Sequence, residues 1–431
     1  MNDFRNNYLN RSLDLISRDS GILKSLIRIP RSNNDPNMIF YGVSPCATRA
    51  FVKSDYFGPS SGCGTTWEEA LIGTLGETVE RYCPIFYDKK DLIKSSYKNL
   101  NVKAIHPNDI ALFHKKQYES PNFPFVEFNE DIEIHWTKCY DLINGGDVWY
   151  PANLVYMPLR EREQKISYAN STGLAAHNNV HDCILTGLYE LIERDSFVNF
   201  WMQELEVPKI KISPRIKVFL KSIFPGNPEF HFFDLTFDLK TPTTFGICIG
   251  DAEFGKYIIV GASTRDTYGE SLKKTIKEIA QGVPYVRYLL SKKRGWYPNK
   301  FEECVDFDEH TIFYTKRKDL WHVFDRLVNL TPNKEIDFDE KPLDDSKEKI
   351  HKILKVMKSK GYSVLVKDNT TVDVAEIGFC SMRTIIPELI SLGGIYGNYY
   401  LGGKRLYEVA GTMGQKVKDY DELNKFPHPF P

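Results

Sequence analysis

Apolar positions recur at helical spacing in two separated stretches, residues 60–82 and 171–195. Leu71, Ile72, Leu75 and Val79 mark the first, and Ile184, Leu185, Leu188 and Ile192 mark the second. Steps of three and four predict a helix in each. Both helices follow a small-residue loop, Ser60-Ser-Gly-Cys-Gly-Thr65 and Ser171-Thr-Gly-Leu-Ala-Ala176. When Glu77 is laid on Glu190, all four apolar positions coincide. So do Glu80 with Glu193 and Arg81 with Arg194. The chain therefore contains an internal repeat of a loop–helix unit ending in Glu-x-x-Glu-Arg. A weaker third copy runs from Gly261 through Leu272, Ile276 and Ile279, and replaces the second acid by an amide in Glu278-Ile-Ala-Gln281.

Elsewhere the pattern changes. Strands are predicted at residues 133–137, 148–150, 230–234, 244–249, 257–262 and 362–366, with a helix at 350–357 before the last of them. Leu13, Ile16, Ile22, Leu23, Leu26 and Ile27 predict helical packing near the start. The charged run 160–165 reads as an exposed loop. Residues from about 297 to 350 read as a variable insertion or a charged helix. The fold class is α/β (α+β), with repeated loop–helix units packed on β-sheets.

With 431 residues, 42% hydrophobic and 26% charged, the chain can bury a large core as one large domain or two to three average ones. A net charge of −1 argues against a protein built mainly for nucleic acid or an anionic membrane. No stretch has the length of a membrane-spanning helix, and Met1 to Arg5 do not begin a signal peptide. Both point to the cytoplasm. The eight cysteines contain no Cys-x-x-Cys pair, which weighs against structural zinc and a disulfide framework.

Acids at i and i+3 are neighbours on a helix and repel unless a cation or water separates them. One such pair reads most simply as a solvated face. Two pairs flanked by apolar residues read instead as buried carboxylates, which require partners or a metal. Glu77, Glu80, Glu190 and Glu193 thus form a candidate oxygen-ligand set suited to magnesium. Arg81 and Arg194 would compensate charge or hold phosphate.

These helices resemble the YcaO family, together with the Asn178-Asn-Val-His-Asp182 turn, the Gln281 helix, and the segments 368–373 and 382–389. The resemblance runs from about residue 58 to 431, with residues 1–57 as a segment contributing to the nucleotide pocket. It implies a pocket for Mg2+ and ATP without a Walker loop. Glu77, Glu80, Glu190 and Glu193 would hold metal. Ser61, Arg81, Asn178, Asp182, Arg194, Glu278 and Gln281 would line the nucleotide site. The ending Pro427-His-Pro429-Phe-Pro431 matches the azoline-forming branch, in which the tail points into the active site. Pro427, Pro429 and Pro431 are then catalytic candidates, with a carboxylate at Pro431 positioning or moving a proton. The implied reaction is cyclodehydration at Cys, Ser or Thr of a ribosomal precursor peptide. The side chain attacks the preceding carbonyl, and the oxygen is phosphorylated and expelled to leave a thiazoline or oxazoline.

The resemblance further implies a standalone cyclodehydratase of thiazole/oxazole-modified microcin biosynthesis. An E1-like, leader-peptide-binding partner, an FMN-dependent azoline dehydrogenase and a homodimer would accompany it. Two positions depart from the family pattern: Gly73 stands where Ser is usual, and Cys63 where many members carry Lys. Other branches (thioamide or amidine formation, or ribosomal-protein modification) and a non-catalytic scaffold remain alternative readings. A di-iron oxidase would need two Glu-x-x-His motifs, and only Glu348-Lys-Ile-His351 has that form.

Overall fold

The computed structural model of the protein describes residues 10–53 and 60–431. The signal-peptide reading at Met1 to Arg5 and the start of the family resemblance at residue 58 lie outside the described residues. In chain order the principal strands are β1 (Leu23–Arg28), β2 (Ile39–Pro45), β3 (Ser61–Gly64), β4 (Leu92–Ser95), β5 (Ile134–Asp141), β6 (Asp147–Pro151), β7 (Leu174–His177), β8 (Glu229–Asp234), β9 (Thr243–Ala252), β10 (Gly255–Thr264), β11 (Leu365–Asp368) and β12 (Cys380–Ile385). The helices used below are α1 (Trp67–Tyr82), α2 (Val180–Gln203), α3 (Tyr268–Lys292), α4 (Phe307–Lys316), α5 (Ser346–Ser359) and α6 (Lys404–Thr412).

The chain divides into two compact units. The first comprises Met1–Ile29, Ile39–Leu191 and Asp345–Leu389, and the second Pro30–Met38, Ile192–Asp344 and Ile390–Pro431. The first unit holds an antiparallel sheet β1-β2-β3 and a six-stranded sheet ordered β4-β5-β11-β12-β7, with β6 on β5. Helix α1 packs on β2, β3, β7 and β12. Thr66 caps its start by accepting the Glu69 N–H, and Glu68 and Glu69 complement the helix dipole there. Its buried face, Ala70, Leu71, Leu75, Val79 and Tyr82, closes a core with Leu15, Leu23, Val43 and Ile85. The repeat is not uniform in burial: Ile72 is exposed, whereas its counterpart Leu185 is buried.

The loops at 60–65 and 171–176 are largely strands, β3 and β7. Their glycines serve close packing. A side chain at Gly62 would overlap Thr74 and the Ala70 carbonyl of α1, so only glycine lets the helix lie directly on the strand. Gly173 has φ +87°, and a Cβ there would strike the Thr384 carbonyl at 2.1 Å.

Three expectations are corrected. The N-terminal apolar residues form a short 3-10 turn (Leu13–Leu15) and strand β1 rather than a helix, because the segment pairs with β2 and leaves Ile27 exposed. The run at 160–165 is not merely an exposed loop. Glu163 is buried against His135, accepting its backbone N–H at 2.6 Å, and Arg160 lies over the Tyr87 ring. Pairing lets these charges leave solvent. The charged segment from 297 to 350 contains α4, whose Ile312, Phe313 and Tyr314 are core residues.

The second unit packs α3 on β9 and β10 of the sheet β10-β9-β8. Its most buried charge network ties α6 down: Arg405 donates to Asp195 at 2.7 to 3.1 Å and to Asp238 at 3.0 Å. Asp195 also accepts the Ile390 N–H at 3.0 Å and is fully buried. Removing the guanidinium strands two carboxylates in the interior. Arg405→Ala should cost about 3–5 kcal/mol of stability in urea unfolding, whereas an unchanged midpoint would show that Asp195 has other compensation.

Candidate active site

In the first unit the segment preceding each acidic helix clamps that helix's first glutamate by a backbone donor, from strand β3 in one case and from the turn before β7 in the other. The Ser61 N–H donates to Glu77 Oε2 at 3.0 Å. The Gly173 N–H donates to Glu190 Oε2 at 2.9 Å. The sequence repeat is therefore also a repeat of geometry. The second glutamate of α1, Glu80, has Arg81 Nε at 3.6 Å, and its side chain is 19% exposed.

Burial pushes the Glu80 carboxyl up to about 8; Arg81 opposes this, Glu190 and Glu77 add to it, and Arg383 opposes it more weakly. Burial works against the Arg81 charge too, yet Glu80, Glu77 and Glu190 hold that guanidinium protonated. Five groups, Glu77, Glu80, Glu190, Arg81 and Arg383, thus share one electrostatic neighbourhood. Arg383 was not among the expected site residues. It is 3% exposed on β12 and donates to Asn170 Oδ1 at 3.1 Å. A charged residue inside the apolar strand 380–385 was the available signal.

In the second unit, Glu193 lies one turn beyond Glu190 on α2. It is 7% exposed and accepts the Thr264 N–H at 3.3 Å, a third backbone donor onto an acid. Arg194 Nε stands 3.9 Å from Glu193, repeating the Arg81–Glu80 arrangement. The guanidinium also covers the Phe430 ring at 4.5 Å and donates to the Pro431 oxygen at 3.4 Å. The tail is ordered by these contacts, and Pro427 to Phe430 are buried.

The remaining expected residues are less concentrated. Asn179 caps α2 by accepting the Asp182 N–H at 2.9 Å, and Asp182 in that first turn accepts the Ser346 hydroxyl, so its carboxylate is engaged structurally. Asn178 is exposed in the preceding turn. Glu278 pairs with Lys274 on α3 at 3.3 Å, and Gln281 is half-buried one turn on. Gly73 faces open space, and the Thr74 hydroxyl turns back to the Ala70 carbonyl at 2.7 Å, so it does not replace the missing serine.

Among the described residues, no three His, Cys, Asp or Glu side chains are already gathered into a metal cage. The donor set nevertheless fits a hard cation. Glu80 is a half-buried carboxylate raised by desolvation and by two neighbouring acids, the condition a divalent ion relieves.

The fold is similar to those of solved heterocyclases and YcaO proteins. A heterocyclase in complex with substrate and cofactor superposes with a TM-score of 0.76 and 22% identity, over 99% of this chain and 57% of that one. The YcaO protein of Methanopyrus kandleri bound with AMPPCP and Mg2+ gives a TM-score of 0.63 at 14% identity, over 90% and 91% of the two chains. The E. coli microcin synthetase McbBCD complex gives 0.59 at 14%, over 94% and 96%. At these identities the likeness is one of fold.

The chain belongs to the YcaO family: the family model described as YcaO cyclodehydratase, ATP- and Mg2+-binding, matches residues 61–390. A curated uncharacterised protein of Methanothermobacter thermautotrophicus is 24% identical over 195 residues, 43% of this chain and 47% of that protein. The chain thus spans about half the length of that relative and of the first heterocyclase.

Glu80 gives this neighbourhood a pH signature. Its folded pKa lies above its unfolded value, so between about 4.5 and 8 the folded state binds more protons than the unfolded state. The contribution of Glu80 to stability therefore falls as pH rises through that window. In metal-free buffer the difference in Tm between the native chain and Glu80→Gln should grow in favour of the variant from pH 5 to pH 8. A difference independent of pH would place Glu80 in water.

Proposed function

We propose that the protein is an ATP- and Mg2+-dependent cyclodehydratase that forms thiazoline or oxazoline rings from Cys, Ser or Thr of a ribosomal precursor peptide. The observation that carries this reading is the crowding of Glu80 by Glu77 and Glu190 with Arg81 and Arg383 beside them. Such a cluster is costly without a ligand, and its carboxylates would hold a hard divalent cation such as Mg2+. Glu193 and Arg194, one turn along α2, take the same part for the nucleotide, with Ser61, Asn178, Glu278 and Gln281 as further contacts. Asp182 acts through the start of α2. Bound Mg2+ would neutralise charge on the transferred phosphoryl group. The chain's own residues orient the phosphates and hold the peptide oxygen in line.

The buried tail supports the azoline-forming branch over thioamide or amidine formation. Its last residues reach Arg194, beside Glu193 of the acid pair. Pro427, Pro429 and Pro431 accordingly shape the reacting end. The precursor peptide is presented by a separate E1-like, leader-binding protein. A flavin dehydrogenase acts on the product, the chain works as a homodimer, and the reaction takes place in the cytoplasm. Among the described residues no helix is long and apolar enough to cross a membrane.

Calorimetry tests the nucleotide part directly. Mg2+-dependent ATP binding should weaken by about tenfold or more in Glu80→Gln and in Glu193→Gln, with the fold kept by circular dichroism. Equal affinity in both variants would contradict the assignment. Deleting residues 427–431 should leave that binding in place and abolish loss of water from the peptide. A sulfide requirement would instead assign the chain to thioamide formation.

A further inference from the structure

The last six residues carry three prolines, at 427, 429 and 431, which offer carbonyls but no N–H groups. An extended proline-rich segment makes no internal backbone bonds, so its buried carbonyls must find donors elsewhere. The second unit supplies them from side chains. Trp201 Nε1–H donates to the Phe426 carbonyl at 3.1 Å, and the Tyr314 hydroxyl to the Pro427 carbonyl at 2.7 Å. His310 Nδ1 lies 2.7 Å from the His428 carbonyl and therefore carries the proton there. His428 in turn donates from Nε2 to the Gly393 carbonyl at 2.8 Å. Burial holds both imidazoles neutral, and their rings stack at 3.9 Å and 6°.

His310 and Tyr314 are four residues apart on α4, on one helical face, so they read two consecutive tail carbonyls as a ruler. Beyond them Phe430 is 2% exposed, set 4.7 Å from Phe197 and under the Arg194 guanidinium. A slip by one residue would put proline where the stacked His428 sits and move Phe430 out of its slot.

We propose that Trp201, Tyr314 and His310 are positioning residues that fix the register of the 426–431 tail against Arg194. None of them reaches the acids; they act through the tail. The role in chemistry rests on the cyclodehydratase reading above, while the register itself does not.

The experiment uses the full chain with 4-fluorophenylalanine at position 430. Its 19F resonance is recorded in the native chain, in Tyr314→Phe and in His310→Ala, with His310→Asn as the variant that restores a donor at the Nδ1 position. Ring formation is followed in parallel as loss of one water from a synthetic peptide containing one Gly-Cys pair, with ATP and Mg2+. Tyr314→Phe and His310→Ala should shift or split the resonance. They should also lower kcat on the order of a hundredfold, the scale of a misplaced reacting group, with KM for ATP unchanged. His310→Asn should recover much of both. A resonance unmoved in Tyr314→Phe and His310→Ala overturns the proposal. So does a moved resonance with unaltered kcat. Should the native chain bind no ATP in the presence of Mg2+, the cyclodehydratase reading fails. The resonance then still decides the register, so the two failures are distinguishable.

Discussion

The structure depends on how a buried acid is kept from its neighbours. Ser61 and Gly173 each place one backbone N–H on the first glutamate of an acidic pair, and that bond sets where the pair points. For the donor to reach, the strand must lie against its own helix or its partner strand without intervening side chains. Gly62 and Gly173 meet that requirement. The second glutamate has an arginine at the next position, as at Glu80 and Arg81, and Glu193 also accepts the Thr264 N–H. The price in stability is a raised carboxyl.

Much of this was legible in the sequence because the feature is repeated. A single Glu-x-x-Glu-Arg is compatible with a wet helix face. Two copies with the same apolar flanks define a common structural unit, and both acidic helices, the third helix and most of the strands occur where the pattern places them. The glycine-rich stretches were misread as loops, since small residues signal both turns and close packing, and only the neighbours distinguish the two. The N-terminal strand β1 was hidden for a related reason: a few apolar residues fit a 3-10 turn followed by a strand as well as they fit a helix.

Long-range partners were beyond reach. Arg383 is far from Glu80 in sequence, and nothing in its own segment names the acids it faces. The charged run at 160–165 gave no sign that Glu163 would find His135 and become buried. The tail was singled out by its prolines. Its anchors Trp201, Tyr314 and His310 were not, because an aromatic or a histidine on a helix ordinarily belongs to the core. They do belong to the core here, and their polar atoms are turned to the tail's carbonyls.

The central claim is that Glu77, Glu80 and Glu190 form the cation end of a nucleotide site. Its most direct test is anomalous diffraction from crystals grown with AMPPCP and Mn2+. The account predicts an anomalous peak coordinated by the Glu80 carboxylate, with Glu77 or Glu190 and a phosphate oxygen completing its shell. A bound nucleotide whose metal lies away from all three glutamates would contradict it.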